Sequence, residues 1–222
     1  MKSFPFDIVG FDLDGTLLDT SRDLAAALNH ALAQSGRPAQ SVAQVVPMIG
    51  GGARKMLAHG LAATGDCSEA ELDRLFPLLI DFYHDNISGG TLPYPGMIAS
   101  LDALQARGVR LAICTNKAEP LALKLLDELS LSDRFAAVIG GSPDRAPKPS
   151  AAPIHEMIAR AGGGRAAFVG DSHFDMNAAR HAGVPSVAVS FGFPGGPAGD
   201  LGADAVIDHY DDLIPALERL GG

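Results

Sequence analysis

Cysteine is scarce in this chain: Cys67 and Cys114 are the only two among 222 residues, and neither sits in a CxxC or Cys/His ligand spacing. That argues against a thiolate metal site and suits a reducing cytosol. Basic clusters are missing too. Seventeen Lys and Arg stand against 26 Asp and Glu for a formal net charge of −9, and they are scattered, so no basic stripe follows a nucleic-acid backbone or an anionic membrane. No apolar run approaches the roughly 20 residues a membrane span needs, and Asp7 and Asp12 interrupt the N-terminal stretch that a signal peptide would keep apolar. Internal repeats and low-complexity tracts are absent, and the seven histidines show no metal-ligand spacing. What remains is a cytoplasmic globular protein, monomer or homodimer, with a small ligand and neither nucleic acid nor membrane as partner.

The apolar patterning predicts a fold. The short, mostly apolar run over residues 6–11 stops at a cluster of Asp, Gly and Thr, as a buried strand ending in a loop would. Similar runs recur at 109–114, 136–139, 166–169 and 186–189, with a weaker one at 205–207. Helical patterns lie between them at 97–106, 120–129, 151–161 and 174–181, closed by one at 210–220. Alternation at these lengths predicts an α/β protein with a doubly wound parallel sheet, because parallel neighbours need crossover connections. One stretch breaks the alternation. Residues 21–88 read as helices only, at 23–34, 41–46, 53–63 and 68–85, with Ser68 and Glu71 spaced as a capping box. A helical insert after the first strand is therefore expected, and the Gly/Pro-rich residues 192–199 read as a surface loop.

Chemistry-bearing residues gather at strand ends. Asp12-Leu13-Asp14-Gly15-Thr16 puts two carboxylates just past the first strand, where open α/β sheets bind ligands. Such neighbours repel, and a divalent hard cation or a shared proton relieves them; oxygen ligands beside a phosphate point to magnesium. A polar turn with Asp as helix cap is the plainer alternative. Gly170-Asp171-Ser172-His173-Phe174-Asp175 brings two more carboxylates to the same rim, Asp171 as a direct ligand and Asp175 as holder of a bound water or orienter of its neighbours. Here too an N-cap with a first-turn acid is the plainer reading. Cys114-Thr115-Asn116-Lys117 ends the second strand with a hydroxyl and backbone N–H groups for a phosphate oxygen. Lys148, set between Pro147 and Pro149, is either a solvated loop charge or the cation of that site.

In joint order and spacing these motifs resemble the haloacid dehalogenase-like hydrolase superfamily, specifically its phosphoglycolate phosphatase-like members, over nearly the whole chain. Residues 12–16 match the first motif, Thr115 with Asn116 the second, Lys148 the third, and Asp171 through Asp175 the fourth. The resemblance implies a Rossmann-like core formed by residues 1–17 and 92–222, and a movable four-helix cap at 18–91 that selects substrate. It implies a magnesium-dependent phosphatase of a small phosphorylated metabolite, with Asp12 as nucleophile, Asp14 as general acid and base, and Thr115 and Lys148 holding the phosphoryl oxygens. Magnesium would be bound by Asp12, the backbone carbonyl of Asp14 and Asp171, with Asp175 behind them.

The glycine loop Gly50-Gly51-Gly52-Ala53-Arg54 is similar to the family's substrate-facing loop, with Gly51, Gly52 and Arg54 meeting a substrate carboxylate, which makes 2-phosphoglycolate the expected substrate; a flexible helix start is the alternative. One departure is that Lys148-Pro149 is followed by Pro only at 153, where the family commonly has Lys-Pro-x-Pro. A sugar phosphate or pyrophosphate as substrate, a phosphosugar mutase, and a catalytically silent phosphometabolite sensor stay open, although Thr16 resembles the phosphatases more than the mutases.

Overall fold

The computed structural model describes residues 4–193 and 195–222. Residues 1–3, the start of the N-terminal stretch read above, and residue 194 of the Gly/Pro-rich loop lie outside the described residues. The chain opens with β1 (Ile8–Phe11), and a turn leads into the two-residue strand β2 (Leu18–Asp19). Four helices follow: α1 (Ser21–Ala33), α2 (Val42–Val45) continued by a 3-10 turn at Val46–Met48, α3 (Ala53–Thr64) and α4 (Glu69–Asp85). After β3 (Leu92–Pro93) the chain alternates through α5 (Met97–Gln105), β4 (Arg110–Ala118), α6 (Glu119–Glu128), β5 (Phe135–Gly141) and α7 (Ala152–Arg160). It finishes with β6 (Ala166–Gly170), α8 (His173–Ala182), β7 (Ser186–Val189), β8 (Ala205–Ile207) and α9 (Leu213–Gly221).

Six strands make one parallel sheet in the order β5-β4-β1-β6-β7-β8. Its strands are nearly continuous apolar runs because both faces are covered. Alternate residues divide cleanly: Ile8, Ala112, Cys114 and Phe168 pack on α7 and α8, while Val9, Phe11, Leu111, Ile113 and Val169 pack with α5, α6 and α9. Each fully buried Leu or Ile in these layers contributes about 2 kcal/mol. Gly10 belongs to this packing, since a Cβ there would lie 2.4 Å from Met157 Cε of α7. The chain moves outward from β1 through β4 and β5, then crosses back to β6 on the other side. That reversal opens a crevice at the carboxyl end of β1, flanked by β4 and β6.

The helical stretch is joined to the sheet by a neck not anticipated from sequence. β2 and β3 pair antiparallel, Leu18 opposite Pro93 and Asp19 opposite Leu92; strands of two residues are too short to carry a periodic signal. Asp23 at the start of α1 accepts from Gly90 N at 2.8 Å and Thr91 Oγ1 at 2.7 Å, tying entry to exit. Leu28 of α1 reaches into the place of a missing side chain at Gly60, and Leu57, Leu61, Leu75 and Leu79 complete the layer. Of the expected capping box at Ser68, one half forms, the Ser68 hydroxyl accepting from Glu71 N at 3.2 Å. No helix among the described residues is long and apolar enough to cross a membrane.

Two boundaries differ from expectation in ways that matter for the site. β4 runs on to Ala118, with its register against β5 irregular between Cys114 and Ala118, so Thr115, Asn116 and Lys117 lie on a distorted strand end rather than beyond it. Such irregularities re-aim side chains. The last helix begins at Leu213, after a 3-10 turn over Tyr210–Asp212. Tyr210 is fully buried and donates its hydroxyl to Thr16 O at 2.8 Å, bracing the loop after β1.

Candidate active site

Asp12 leaves β1 with its N–H bonded to Val169 O of β6 at 2.9 Å, which seats its carboxylate between strands. The chain then turns on Leu13, whose carbonyl accepts from Leu17 N and Leu18 N. Gly15 is required here. Its φ is +83°, and a Cβ would stand 2.3 Å from Asp171 Oδ2. Asp171, one residue past β6, accepts from Phe193 N at 2.6 Å and Thr16 Oγ1 at 3.2 Å. The loop expected at the surface starts against the site, since Phe193 is buried and its N–H is spent on a carboxylate, while its residues 195–197 are exposed.

Asp175 is wholly buried and is the N3 residue of a capping box with Ser172. Its Oδ2 accepts from Ser172 N at 3.0 Å and Ser172 Oγ at 2.6 Å, and its Oδ1 faces Lys148 Nζ at 2.5 Å. Lys148 is no solvated loop charge, being 2% exposed. Its ammonium also meets Cys114 O at 2.8 Å and Asp12 Oδ1 at 2.9 Å. Asn116 holds the lysine's backbone from both sides, Oδ1 accepting from Lys148 N and Nδ2 donating to Lys148 O. With Nδ2 also on Gly50 O at 3.0 Å, the Asn116 side chain is committed to the protein; the expectation for this strand end concerned its hydroxyl and its backbone N–H groups.

Asp12, Asp171 and Asp175 each offer a carboxylate oxygen, and these lie within 4.8 Å of one another. Three buried acids against one lysine leave an excess of negative charge. Burial, followed by Asp175 and Asp12, pushes the Asp171 carboxyl well above its ordinary range. Burial likewise raises Asp12 from 3.8 to about 6, against the pull of Lys148. Lys148 is held above the usual lysine range: burial alone would lower it, but Asp12 and Asp175 more than offset that. Asp12 Oδ1 is buried without a hydrogen-bond donor, because the Lys148 contact is a close ion pair whose angles are not those of a hydrogen bond. An orphaned carboxylate oxygen, an all-oxygen donor set and uncompensated negative charge together fit a hard divalent cation.

The Asp14 carboxylate is directed elsewhere and is not in that trio; the expectation for Asp14 at the metal concerned its backbone carbonyl. It accepts from Thr20 Oγ1 at 2.8 Å and from Lys117 Nζ at 2.8 and 3.1 Å. Lys117 Nζ also donates to Tyr83 Oη of α4 at 2.6 Å, and two acceptors keep this buried lysine charged, its pKa raised by Asp14 and Tyr83 in spite of burial. Neither Lys117 nor Tyr83 was singled out from sequence. Tyr83 falls on the apolar stripe Leu72, Leu75, Leu79 and reads as core; only Lys117, inside the second motif, carried any signal.

Between the sheet edge and the helices lies a cavity of about 750 Å³. Asp12, Asp14, Thr115, Asn116 and Lys117 line its floor, and the glycine loop with Met56, Phe76, Leu79, Ile80 and Tyr83 lines its roof. The loop rests on the core: besides the Asn116 bond to Gly50, Gly51 lies against Phe174. Gly52, φ +92°, is the N-cap of α3. Arg54, expected to meet a substrate carboxylate, is instead paired with Glu69 at 2.8 Å and Asp73 at 2.7 Å, its guanidinium over Phe76. Lys55 beside it also lines the cavity, with Nζ 5.4 Å from the Phe174 ring centroid and no carboxylate partner among the described residues. His173 is exposed, its ring tilted against that of Phe174 with centroids 4.0 Å apart.

A profile of the family described as "Haloacid dehalogenase-like hydrolase" matches residues 9–189, the whole span from β1 to β7. The chain belongs to the haloacid dehalogenase-like hydrolases. It is 43% identical over 210 residues to a phosphoglycolate phosphatase of Agrobacterium fabrum, covering 93% of this chain and 90% of the relative. A phosphoglycolate phosphatase of Caulobacter vibrioides is 43% identical over 215 residues, covering 96% of this chain and 91% of that one. Among solved structures, a predicted phosphoglycolate phosphatase from Haemophilus somnus superposes with a TM-score of 0.86 at 28% identity, covering 95% of this chain and 97% of the other. This haloacid dehalogenase-like hydrolase is a phosphatase.

Proposed function

We propose that the protein hydrolyses 2-phosphoglycolate through a phosphoryl group carried on Asp12, and that residues 18–91 act as the cap over this reaction. The observation that carries the reading is the division of labour between two carboxylates two residues apart. Asp12 faces Lys148 in the buried trio, while Asp14 is turned to Lys117 at the wall of the cavity. In the first step an Asp12 carboxylate oxygen attacks phosphorus in line, the phosphorus–oxygen ester bond breaks, and Asp14 gives a proton to the departing glycolate oxygen. In the second, Asp14 takes a proton from water, the water oxygen attacks phosphorus, and phosphate leaves with Asp12 restored. Lys148 and Thr115 bind the phosphoryl oxygens as charge shifts onto them. Asp12 and Asp171 would hold magnesium, while Asp175, in a 2.5 Å ion pair with Lys148, keeps that lysine in position. When bound, the ion supplies positive charge that offsets that of the phosphoryl group and the acids.

For the substrate's carboxylate the available cation is Lys55, since the Arg54 charge is already paired. The relatives that carry the name phosphoglycolate phosphatase support this substrate, and a cytoplasmic setting agrees with the scarce cysteine. A second reading, a larger phosphomonoester such as a sugar phosphate, is favoured by a cavity of about 750 Å³ whose roof is largely apolar, more room than glycolate fills. Steady-state phosphate release with magnesium, across phosphoglycolate, hexose phosphates, pyrophosphate and nucleoside monophosphates, separates them. Dominant kcat/KM on phosphoglycolate is expected; a dominant hexose phosphate would replace the substrate and keep the chemistry.

A further inference from the structure

We propose that Tyr83 is a positioning residue for the proton-transfer step, acting from α4 through Lys117 on Asp14. This rests on the role of Asp14 given above. The Asp14 carboxylate is oriented by three polar contacts, one from Thr20 and two from Lys117. Thr20 stands six residues on from Asp14, at the start of α1, and its contact is local in sequence. Lys117 comes from the irregular end of β4, and its flexible four-carbon stem does not by itself fix the ammonium. What fixes it is Tyr83: the hydroxyl accepts from Nζ at 2.6 Å, and the ammonium stands 4.5 Å from the centroid of the same ring. The Lys117 side chain is 4% exposed, so water does not replace a lost partner cheaply.

The line of contacts crosses between two parts of the fold. Tyr83 stands at the last turn of the buried stripe of α4, a helix that packs mainly on α1 and α3. The geometry of Asp14 is therefore set partly by where the helical layer sits. With the layer docked, the hydroxyl holds Lys117 against Asp14; with it displaced, that hydroxyl is withdrawn and the pair loses its third member. Proton transfer to the leaving group is thereby linked to a docked roof, which also keeps bulk water from the phosphoryl group.

Leaving-group dependence tests this. Hydrolysis of an alkyl phosphate needs a proton delivered to a poor leaving group, whereas p-nitrophenyl phosphate releases a stable phenolate. For Tyr83→Phe, which keeps the ring, kcat/KM on 2-phosphoglycolate, or on whichever alkyl phosphate the wild type turns over, should fall about tenfold to a hundredfold, the range for a lost hydrogen bond to a charged group. On p-nitrophenyl phosphate kcat/KM should fall less than about threefold; kcat/KM is the quantity to read because it reports transfer to Asp12 and not the later hydrolysis that the two esters share. The Tyr83→Phe, Lys117→Met double variant should be no slower on the alkyl ester than Lys117→Met alone, since both act along one line. An alkyl rate within about twofold of wild type, equal losses on both esters, or additive effects in the double variant would overturn the proposal. Asp14→Asn is the separate control: if its kcat/KM shows no preference for losing the alkyl reaction, the assigned role of Asp14 fails, and this inference with it.

Discussion

Replacing Asp12 by Asn should abolish turnover and at the same time make the metal-free protein more stable. The structure packs Asp12, Asp171 and Asp175 around one ammonium, and burial lifts the Asp12 carboxyl from 3.8 to about 6. Folding therefore binds this proton more tightly than the unfolded chain does. The group's contribution to stability is whole below about pH 4 and is lost as pH rises through about 6. Two units of displacement at roughly 1.4 kcal/mol each set an upper bound of about 3 kcal/mol on the cost of ionised Asp12 above that window.

Asn is the neutral isostere and escapes the cost, while Lys148 keeps Asp175 as its partner. In chelator and mildly alkaline buffer the variant should melt higher by several degrees, at about 2–4 °C per kcal/mol for a chain of this size. The gain should vanish as pH falls toward about 4. Magnesium should reverse the order, raising the melting point of the wild type more than that of the variant, because the cation stabilises only the native ligand set. Calorimetry or dye-monitored melting across pH, with and without magnesium, reads all three. A variant less stable than wild type in chelator at every pH would refute the charge accounting, and residual turnover near the wild-type rate would refute the nucleophile.

Two further outcomes follow from the roof and the core. Lys55→Ala should raise KM for 2-phosphoglycolate about tenfold while leaving KM for p-nitrophenyl phosphate nearly unchanged, and Arg54→Ala should change either KM by less than about twofold, since a hydrogen bond to a charged group is worth about 1.5–3 kcal/mol, with the lower end fitting the exposed Lys55, and Arg54 spends its charge on Glu69 and Asp73. Steady-state kinetics on the two esters decide, and the reverse pattern would return Arg54 to its expected role. Thiol titration of the native protein should count one fast cysteine: Cys67 is exposed, whereas Cys114 is buried and its thiol pushed up to about 12, so it stays protonated and inert until unfolding. Two fast thiols in folded protein would contradict the packing around β4.

The sequence made the sheet legible because each of its six strands contains a short, mostly apolar run with Gly, Asp or Pro at one or both ends, and a helix separates most of them. Asp12, Lys148 and Asp171 were legible for a related reason: each ends or follows a strand that the pattern already marked. What escaped depends on contacts distant in sequence. The β2–β3 neck is two residues deep on each side, too short for periodicity. Tyr83 and Lys117 meet across 34 positions, and nothing local distinguishes the hydroxyl of Tyr83 from the core stripe that carries it. Arg54 looked like the substrate cation because its loop suggested so, but Glu69 and Asp73, which neutralise it, lie on the next helix. The role of the Asn116 side chain escaped for the same reason: its amide is matched to the backbone of Lys148, a partner that folding alone supplies.

The central claim is that Asp12 carries the phosphoryl group, and trapping it is the most direct test. Wild-type protein mixed with magnesium and 2-phosphoglycolate, quenched in acid during steady turnover, digested and sequenced by mass spectrometry, should carry phosphate on the peptide containing Asp12, and on no other, in a form labile to hydroxylamine. The Asp14→Asn variant should accumulate more of it whenever the ester has a good leaving group, because the water-activating base is gone. Turnover with no acyl phosphate at any quench time, or phosphate on a different side chain, would contradict the account.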